Sequence, residues 1–213
     1  DFAEAAALQS LNTVMVAGEA CPPALVQAHF DQLPETRLYN EYGPTEGTVW
    51  ATVAEITAAT ESVTIGKAIP NTQTYVVDQA RQPVPIGVVG ELLIGGAGIT
   101  QGYHARPALT AERFIHNPFG AGKLYRTGDL ARYRADGTLE YMGRADNQVK
   151  ISGYRIELGE VEAALSQSDA VRESVVLVQS DSGPAQLLGA VVLNNGATLE
   201  GLREQLQRHI PHY

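Results

Sequence analysis

The sequence predicts an α/β fold that runs into a mostly antiparallel β unit and ends in a small C-terminal α+β module. Three observations predict it. Residues 11–43 read strand, helix, strand, with a glycine turn after the first strand. From about residue 60, β-rich pieces alternate with Pro, Gly and Asp-Gly turns. Beyond GRADNQ, short strands and amphipathic helices alternate over the last sixty-odd residues. These textures divide the chain at 1–59, 60–146 and 147–213.

LNTVMVAG (11–18) is a short buried strand entering a turn. Pro22 and Pro23 stand where a helix can start, and ALVQAHFDQL has helical apolar rhythm. ETRLYNEYG is the second strand, broken at Gly43-Pro44. SVTIGKAI, TQTYVVD, VGELLIGG, LYRTGDLARYR and TLEYMGR are the β pieces of the middle, interrupted by one helix at PALTAERF. Asp136-Gly137 is a hairpin signal. In the last part, QVKISGYRIE is a hairpin around Ser152-Gly153 and ELGEVEAALSQ a helix. VRESVVLVQ and QLLGAVVLN are strands, and LEGLREQLQRHI is a helix with Leu202, Leu206 and Ile210 on one face.

An apolar fraction of 44% suffices for a packed core. A formal net charge of -9 and a pI near 5.0 argue against nucleic acid or an anionic membrane as partner. A nucleotide is compatible, because a few local donors can hold a phosphate. With Cys21 as the one cysteine, an internal disulfide or cysteine cluster is excluded, which suits the cytoplasm. No apolar run reaches membrane-spanning length, and no leader opens the chain. The histidines at 29, 104, 116, 209 and 212 lack metal-ligand spacing. Walker A, H-E-x-x-H and G-x-S-x-G signatures are absent.

Three places carry candidate chemistry. In NEYGPTEGTVW (40–50), Thr45 and Glu46 set a hydroxyl and a carboxylate beside a Gly-Pro turn. That pair suits a phosphate and its Mg²⁺, and equally a polar surface turn. Tyr42 can stack on a planar base or serve as a core tyrosine. Asp129, in YRTGDL, can accept ribose hydroxyls or form an Asx turn. Arg144, Asp146 and Lys150 bring charge to a domain boundary, as a hinge or as a solvated face. Glu157, Glu160 and Glu162 favour a helix dipole.

In order and spacing, NEYGPTE (40–46), GELLIGGAGITQGYHARPALTAERF (90–114), YRTGDLARYRADGTLEYMGRADNQVKISGYRIELGEVE (125–162) and LQRHIPHY (206–213) resemble the adenylation domain of a nonribosomal peptide synthetase. That domain sits in the wider family of AMP-forming ligases. The likeness covers essentially the whole chain. It implies the adenylate-forming enzyme fold, with the middle part a distorted antiparallel β-barrel. The activity it implies is ATP-dependent formation of an aminoacyl-AMP with release of pyrophosphate. Transfer to the phosphopantetheine thiol of a peptidyl carrier domain follows, and a condensation domain is expected in the same polypeptide.

Site roles follow from the resemblance alone. Asn40 is assigned to the adenine edge, Tyr42 to stacking, and Gly18, Glu19 and Ala20 to the opposite wall of the slot. Thr45 meets the α-phosphate and Glu46 the Mg²⁺. Asp129 takes the ribose hydroxyls, with Tyr141 and Arg144 nearby. Asp146 is the hinge, and Lys150 serves the thiolation arrangement. Met15, Ala17, Glu41, Val49 and Trp50 match specificity positions. The acid on that wall points to a polar or basic amino acid.

Departures are visible too. A phosphate loop and an amino-group aspartate are expected before Asp1, and a further lysine after Tyr213, so residues 1–213 alone are expected to be inactive. Ser152 stands where many relatives carry Arg. An acyl-CoA synthetase or luciferase relative, and a catalytically silent binding module, remain alternatives.

Overall fold

The computed structural model describes residue 8 and residues 10–151, 153–179, 185–207 and 210–211. The chain divides into two compact units, Asp1–Asp146 and Asn147–Tyr213.

The first unit opens with β1 (Thr13–Ala17), α1 (Pro23–Gln32), β2 (Arg37–Tyr42), β3 (Thr52–Ile56) and β4 (Lys67–Ala68), in a sheet of order β1-β2-β3-β4. β1 and β2 are parallel, so a crossover must join them, and α1 supplies it. Pro23 starts the helix where a missing N–H costs nothing. Strand alternation sorts the side chains. Val14, Val16, Leu38, Ala54 and Ile56 face one way and pack with Val26 and Phe30 of α1. Leu38 is wholly buried, a contribution of about 1.5–3 kcal/mol.

NEYGPTEGTVW takes in the end of β2 and the loop of the β2–β3 hairpin, with Tyr42 paired to Thr52 at its base. Ala51 N–H closes that base on the Tyr42 carbonyl at 2.7 Å. Only glycine fits at 43, because a Cβ there would lie 2.4 Å from Trp50 Cα.

A second sheet contains β5 (Thr72–Val77), β6 (Gly90–Gly96), β7 (Phe114–His116), β8 (Lys123–Tyr133) and β9 (Leu139–Arg144), with α2 (Pro107–Arg113) leading into β7. All its pairings are antiparallel, as the mid-chain turn spacing predicts. The long strand β8 organises it. One edge of β8 pairs with β6; the other pairs first with β7 and then with β9. The Asp136-Gly137 turn forms as expected: Asp136 Oδ1 accepts from Thr138 N–H at 2.9 Å, and Gly137 has φ +80°.

Two hydrogen bonds lace the sheets together: Leu139 N–H to Gly66 O at 2.7 Å and Ile65 N–H to Leu139 O at 2.9 Å. A common core of Tyr42, Ala51, Ile65, Val76, Leu92, Ile94, Ala131 and Leu139 lies behind them.

In the second unit, β10 (Gln148–Ile151) and β11 (Tyr154–Glu157) pair as a hairpin; Ser152, at its tip, lies outside the described residues. α3 (Leu158–Ser166), β12 (Val171–Gln179), β13 (Gln186–Leu193) and α4 (Leu199–Leu206) follow. Leu165, Val171, Val176 and Leu202 form their core, with Leu187, Val191 and Leu206 against it. α4 is capped by Thr198, whose Oγ1 accepts from Gly201 N–H. It stops at Leu206, short of the span expected to Ile210; His209 lies outside the described residues. Among the described residues no helix is long and apolar enough to cross a membrane.

Gly66 is the stitch between the sheets. Its φ is +75°, and an added Cβ would fall 1.8 Å from Val53 O. Gly66→Ala must move the β3 backbone as well as strain its own, so chemical denaturation of the domain should show a loss well above the ~1 kcal/mol typical of an uncrowded left-handed glycine.

Candidate active site

Asp129 lies midway along β8, directly across from Arg144 on β9. The turn of backbone at Gly128, φ +72°, aims it inward. Its carboxylate is buried, and it is held from two sheets at once. The Tyr42 hydroxyl, from the end of β2, donates to Oδ2. Arg144 Nη1 donates to Oδ1 at 2.8 Å, and the Tyr141 hydroxyl approaches the same oxygen at 3.5 Å.

The Arg144 guanidinium uses its other edge on Asp146, with Nε to Oδ1 at 2.6 Å and Nη2 to Oδ2 at 2.8 Å. Such a two-pronged fit is available to arginine and not to lysine. Arg113 Nη2 stands 3.9 Å from Asp146. Burial and the Asp129 charge push the Tyr42 hydroxyl well above its usual range, and the same causes push Tyr141 up to about 12. Both therefore remain protonated donors at neutral pH.

Thr45 and Glu46 sit on a single 3₁₀ turn, Thr45–Gly47. Thr45 is exposed, whereas Glu46 is 7% exposed. Glu46 Oε1 accepts from the Tyr103 hydroxyl at 2.6 Å, and that hydroxyl lies 3.3 Å from the one on Tyr125. Burial and Glu46 both raise the Tyr103 pKa. The chain then passes through Thr48, φ 59°, and Val49, φ 74°. A β-branched residue at positive φ is strained, by about 1–3 kcal/mol.

The expected pocket residues share a surface. Met15 and Ala17 of β1 are exposed, and Glu41 of β2, register partner of Ala17, is half-buried. By strand alternation all three point away from α1. Asn40 and Tyr42 point the other way. Both are buried, and Asn40 Nδ2 donates to Thr64 O at 2.8 Å. Val49 is 73% exposed and Trp50 half-buried, on the loop that follows. Gly18, with φ +88°, turns the chain out of β1 into Glu19 and Ala20, both exposed. Lys150 is exposed on β10, across from Arg155 in the second unit.

The structure thus groups Tyr42, Asp129, Tyr141, Arg144 and Asp146 in one network, and Glu46 in another with Tyr103. Sequence reasoning missed Tyr103 and Arg113. Tyr103 lies inside the GELLIGGAGITQGYHARPALTAERF block, yet nothing in its spacing announces a partner fifty-seven residues away. Two clefts, of about 410 Å³ beside Arg132 and Arg134 and about 750 Å³ beside Tyr103 and Arg106, lie off the Asp129 network.

Among the described residues, no three His, Cys, Asp or Glu side chains gather as a metal cage. The fixed carboxylate of Glu46 instead suits Mg²⁺ that arrives on nucleotide phosphates, since that ion usually takes one or two carboxylates and keeps its other oxygens from substrate and water.

Known proteins resemble the chain over nearly its whole length. A family described as AMP-binding enzyme matches residues 1–104. Tyrocidine synthase 3 of Brevibacillus parabrevis is 44% identical over 206 residues, which are 95% of this chain and 3% of that protein. Gramicidin S synthase 2 of Aneurinibacillus migulanus is 41% identical over 215 residues, 100% of this chain and 5% of that protein. The chain belongs to the AMP-binding enzymes.

Within that family, the solved structure of PA1221, an NRPS protein containing adenylation and PCP domains, superposes with a TM-score of 0.84 at 31% identity. The match covers 98% of this chain and 44% of PA1221. The α/β fold is therefore that of the adenylation domains, and the chain spans a small share of its curated relatives.

Arg144 is the centre of the charged network in this AMP-binding enzyme, bonded to Asp129 and Asp146 together. Arg144→Lys keeps the charge and loses the fork. Nucleotide affinity of the intact protein, read by calorimetry, should weaken about tenfold, the scale of one charge-assisted hydrogen bond, with little change in the fold.

Proposed function

We propose that the protein containing this chain activates an amino acid with ATP in the cytoplasm, as one step of nonribosomal peptide synthesis. The amino-acid carboxylate attacks the α-phosphorus and pyrophosphate leaves; a phosphopantetheine thiol on a carrier domain then attacks the acyl carbon and AMP leaves. The observation that carries this reading is Asp129: a buried carboxylate, oriented by Tyr42 and Arg144, set where two sheets meet. Supporting it, the relatives are peptide synthetases and the solved neighbour carries adenylation and PCP domains.

The chain's own residues divide the work. Asp129 accepts the ribose hydroxyls, sharing its oxygens with Tyr42 and Arg144. Asn40 and Tyr42 face the base, opposite the wall of Gly18, Glu19 and Ala20. Thr45 donates to the α-phosphate. Glu46 would hold Mg²⁺, which when bound would neutralise phosphate charge. Asp146 is the hinge on which residues 147–213 turn against the subdomains 1–59 and 60–146. Lys150 acts in the second half-reaction.

Met15, Ala17, Glu41, Val49 and Trp50 surround the substrate side chain. Glu41 selects a polar or basic one, because an apolar partner would leave its carboxylate desolvated and unpaired.

ATP–pyrophosphate exchange by the intact protein over a panel of amino acids tests both levels. Exchange should be strongest with a polar or basic amino acid, and Glu41→Leu should move preference toward apolar side chains. Preference for leucine or phenylalanine in the unmodified protein would overturn the substrate reading. Absence of exchange with every amino acid would overturn the activity.

A further inference from the structure

We propose that Tyr103 is a positioning residue that aims the Glu46 carboxylate at the magnesium of the bound nucleotide. The inference rests on the reading of Glu46 given above. Its geometric basis is independent of that reading.

Glu46 sits on one 3₁₀ turn, which by itself fixes a side chain poorly. Rigidity comes from outside, from the segment between β6 and α2. Thr48 Oγ1 donates to Gly98 O at 2.6 Å, and Thr100 N–H donates to the Glu46 carbonyl at 2.9 Å. At Gly98 a Cβ would lie 2.9 Å from Gly47 O, so the two backbones touch. After these main-chain ties, Tyr103 holds the side chain itself, its hydroxyl 2.6 Å from Oε1.

Tyr103 is in turn well braced. Its N–H donates to Thr110 Oγ1 at 2.9 Å, and its ring meets Phe114 edge-on at 5.4 Å. Gly102, φ +142°, permits that approach, since a Cβ there would sit 2.3 Å from Thr110 Cγ2.

The chemistry suits a phenol. Mg²⁺ demands near-ideal octahedral geometry, so a ligand oxygen must be held in direction as well as in place. An arginine or lysine on Glu46 would compete with the metal for its negative charge. A neutral hydroxyl fixes the carboxylate without adding a positive charge of its own.

The test uses the intact protein and a non-hydrolysable ATP analogue, with binding followed by calorimetry as Mg²⁺ is raised from an EDTA baseline. Tyr103→Phe should raise the Mg²⁺ midpoint about tenfold, leave binding in EDTA unchanged, and shift the thermal midpoint little. On a Glu46→Gln background the same substitution should have no further effect, because a residue acting through Glu46 is not additive with its loss. Thr110→Val, which withdraws the brace without touching Glu46, should move the midpoint the same way by less, and carries the test if the phenylalanine variant fails to fold.

An unchanged midpoint in both variants, or a Tyr103→Phe effect that persists beside Glu46→Gln, would overturn the proposal. If the unmodified protein binds the analogue with no response to Mg²⁺, the metal role of Glu46 falls and this inference with it. A normal Mg²⁺ response that Tyr103 does not alter removes the inference alone.

Discussion

A carboxylate buried at Asp129 imposes the central constraint on this molecule. Removing such a charge from water costs several kcal/mol unless donors replace the lost hydration. One donor, Arg144, comes from the neighbouring strand; the other, Tyr42, lies eighty-seven residues upstream in the other sheet. Arg144 faces Asp129 within one sheet, but Tyr42 can reach it only if the two sheets are joined, and the Leu139–Gly66 bonds and their common core join them. The site's electrostatics and the packing of the first unit are thus one requirement.

Strand alternation does the next part of the work. Successive residues of β2 point to opposite faces, so Asn40 and Tyr42 belong to the buried side and Glu41 to the other. Neighbouring residues of β2 therefore present different chemistry to two separate faces. A one-residue slip in the β1–β2 register would exchange the two sets. The parallel pairing of Ala17 with Glu41 fixes which side chains stand together.

Much of this was legible. The strand-helix-strand opening, the Asp136-Gly137 turn, the β10–β11 hairpin and the helix at PALTAERF all follow from periodicity and turn chemistry. Asp129 and Glu46 stand out in the sequence because each sets a carboxylate beside a tight glycine-containing turn; that both are buried is visible only in the structure. Tyr103 was not legible, because a Gly-Tyr pair in a loop carries no periodic signal and its meaning arises only in three dimensions. For the same reason Arg144 could be named as a neighbour of Asp129, but not as the bridge to Asp146. Tyr42 is a core residue by burial, one of the two readings its sequence position allows, and its hydroxyl is committed to Asp129.

The β2–β3 loop shows how such a site is stabilised. Thr48 and Val49 both hold left-handed backbone, a cost of about 1–3 kcal/mol each for residues with a Cβ. A free loop would relax. Here the bonds from Thr48 to Gly98 and from Thr100 to Glu46 contribute roughly 1 kcal/mol apiece, and the paired strand ends add the Ala51–Tyr42 bond. The strain is therefore opposed by the segment that leaves β6 of the second sheet. A change in that sheet, remote from Glu46 in sequence, acts on the turn that carries it.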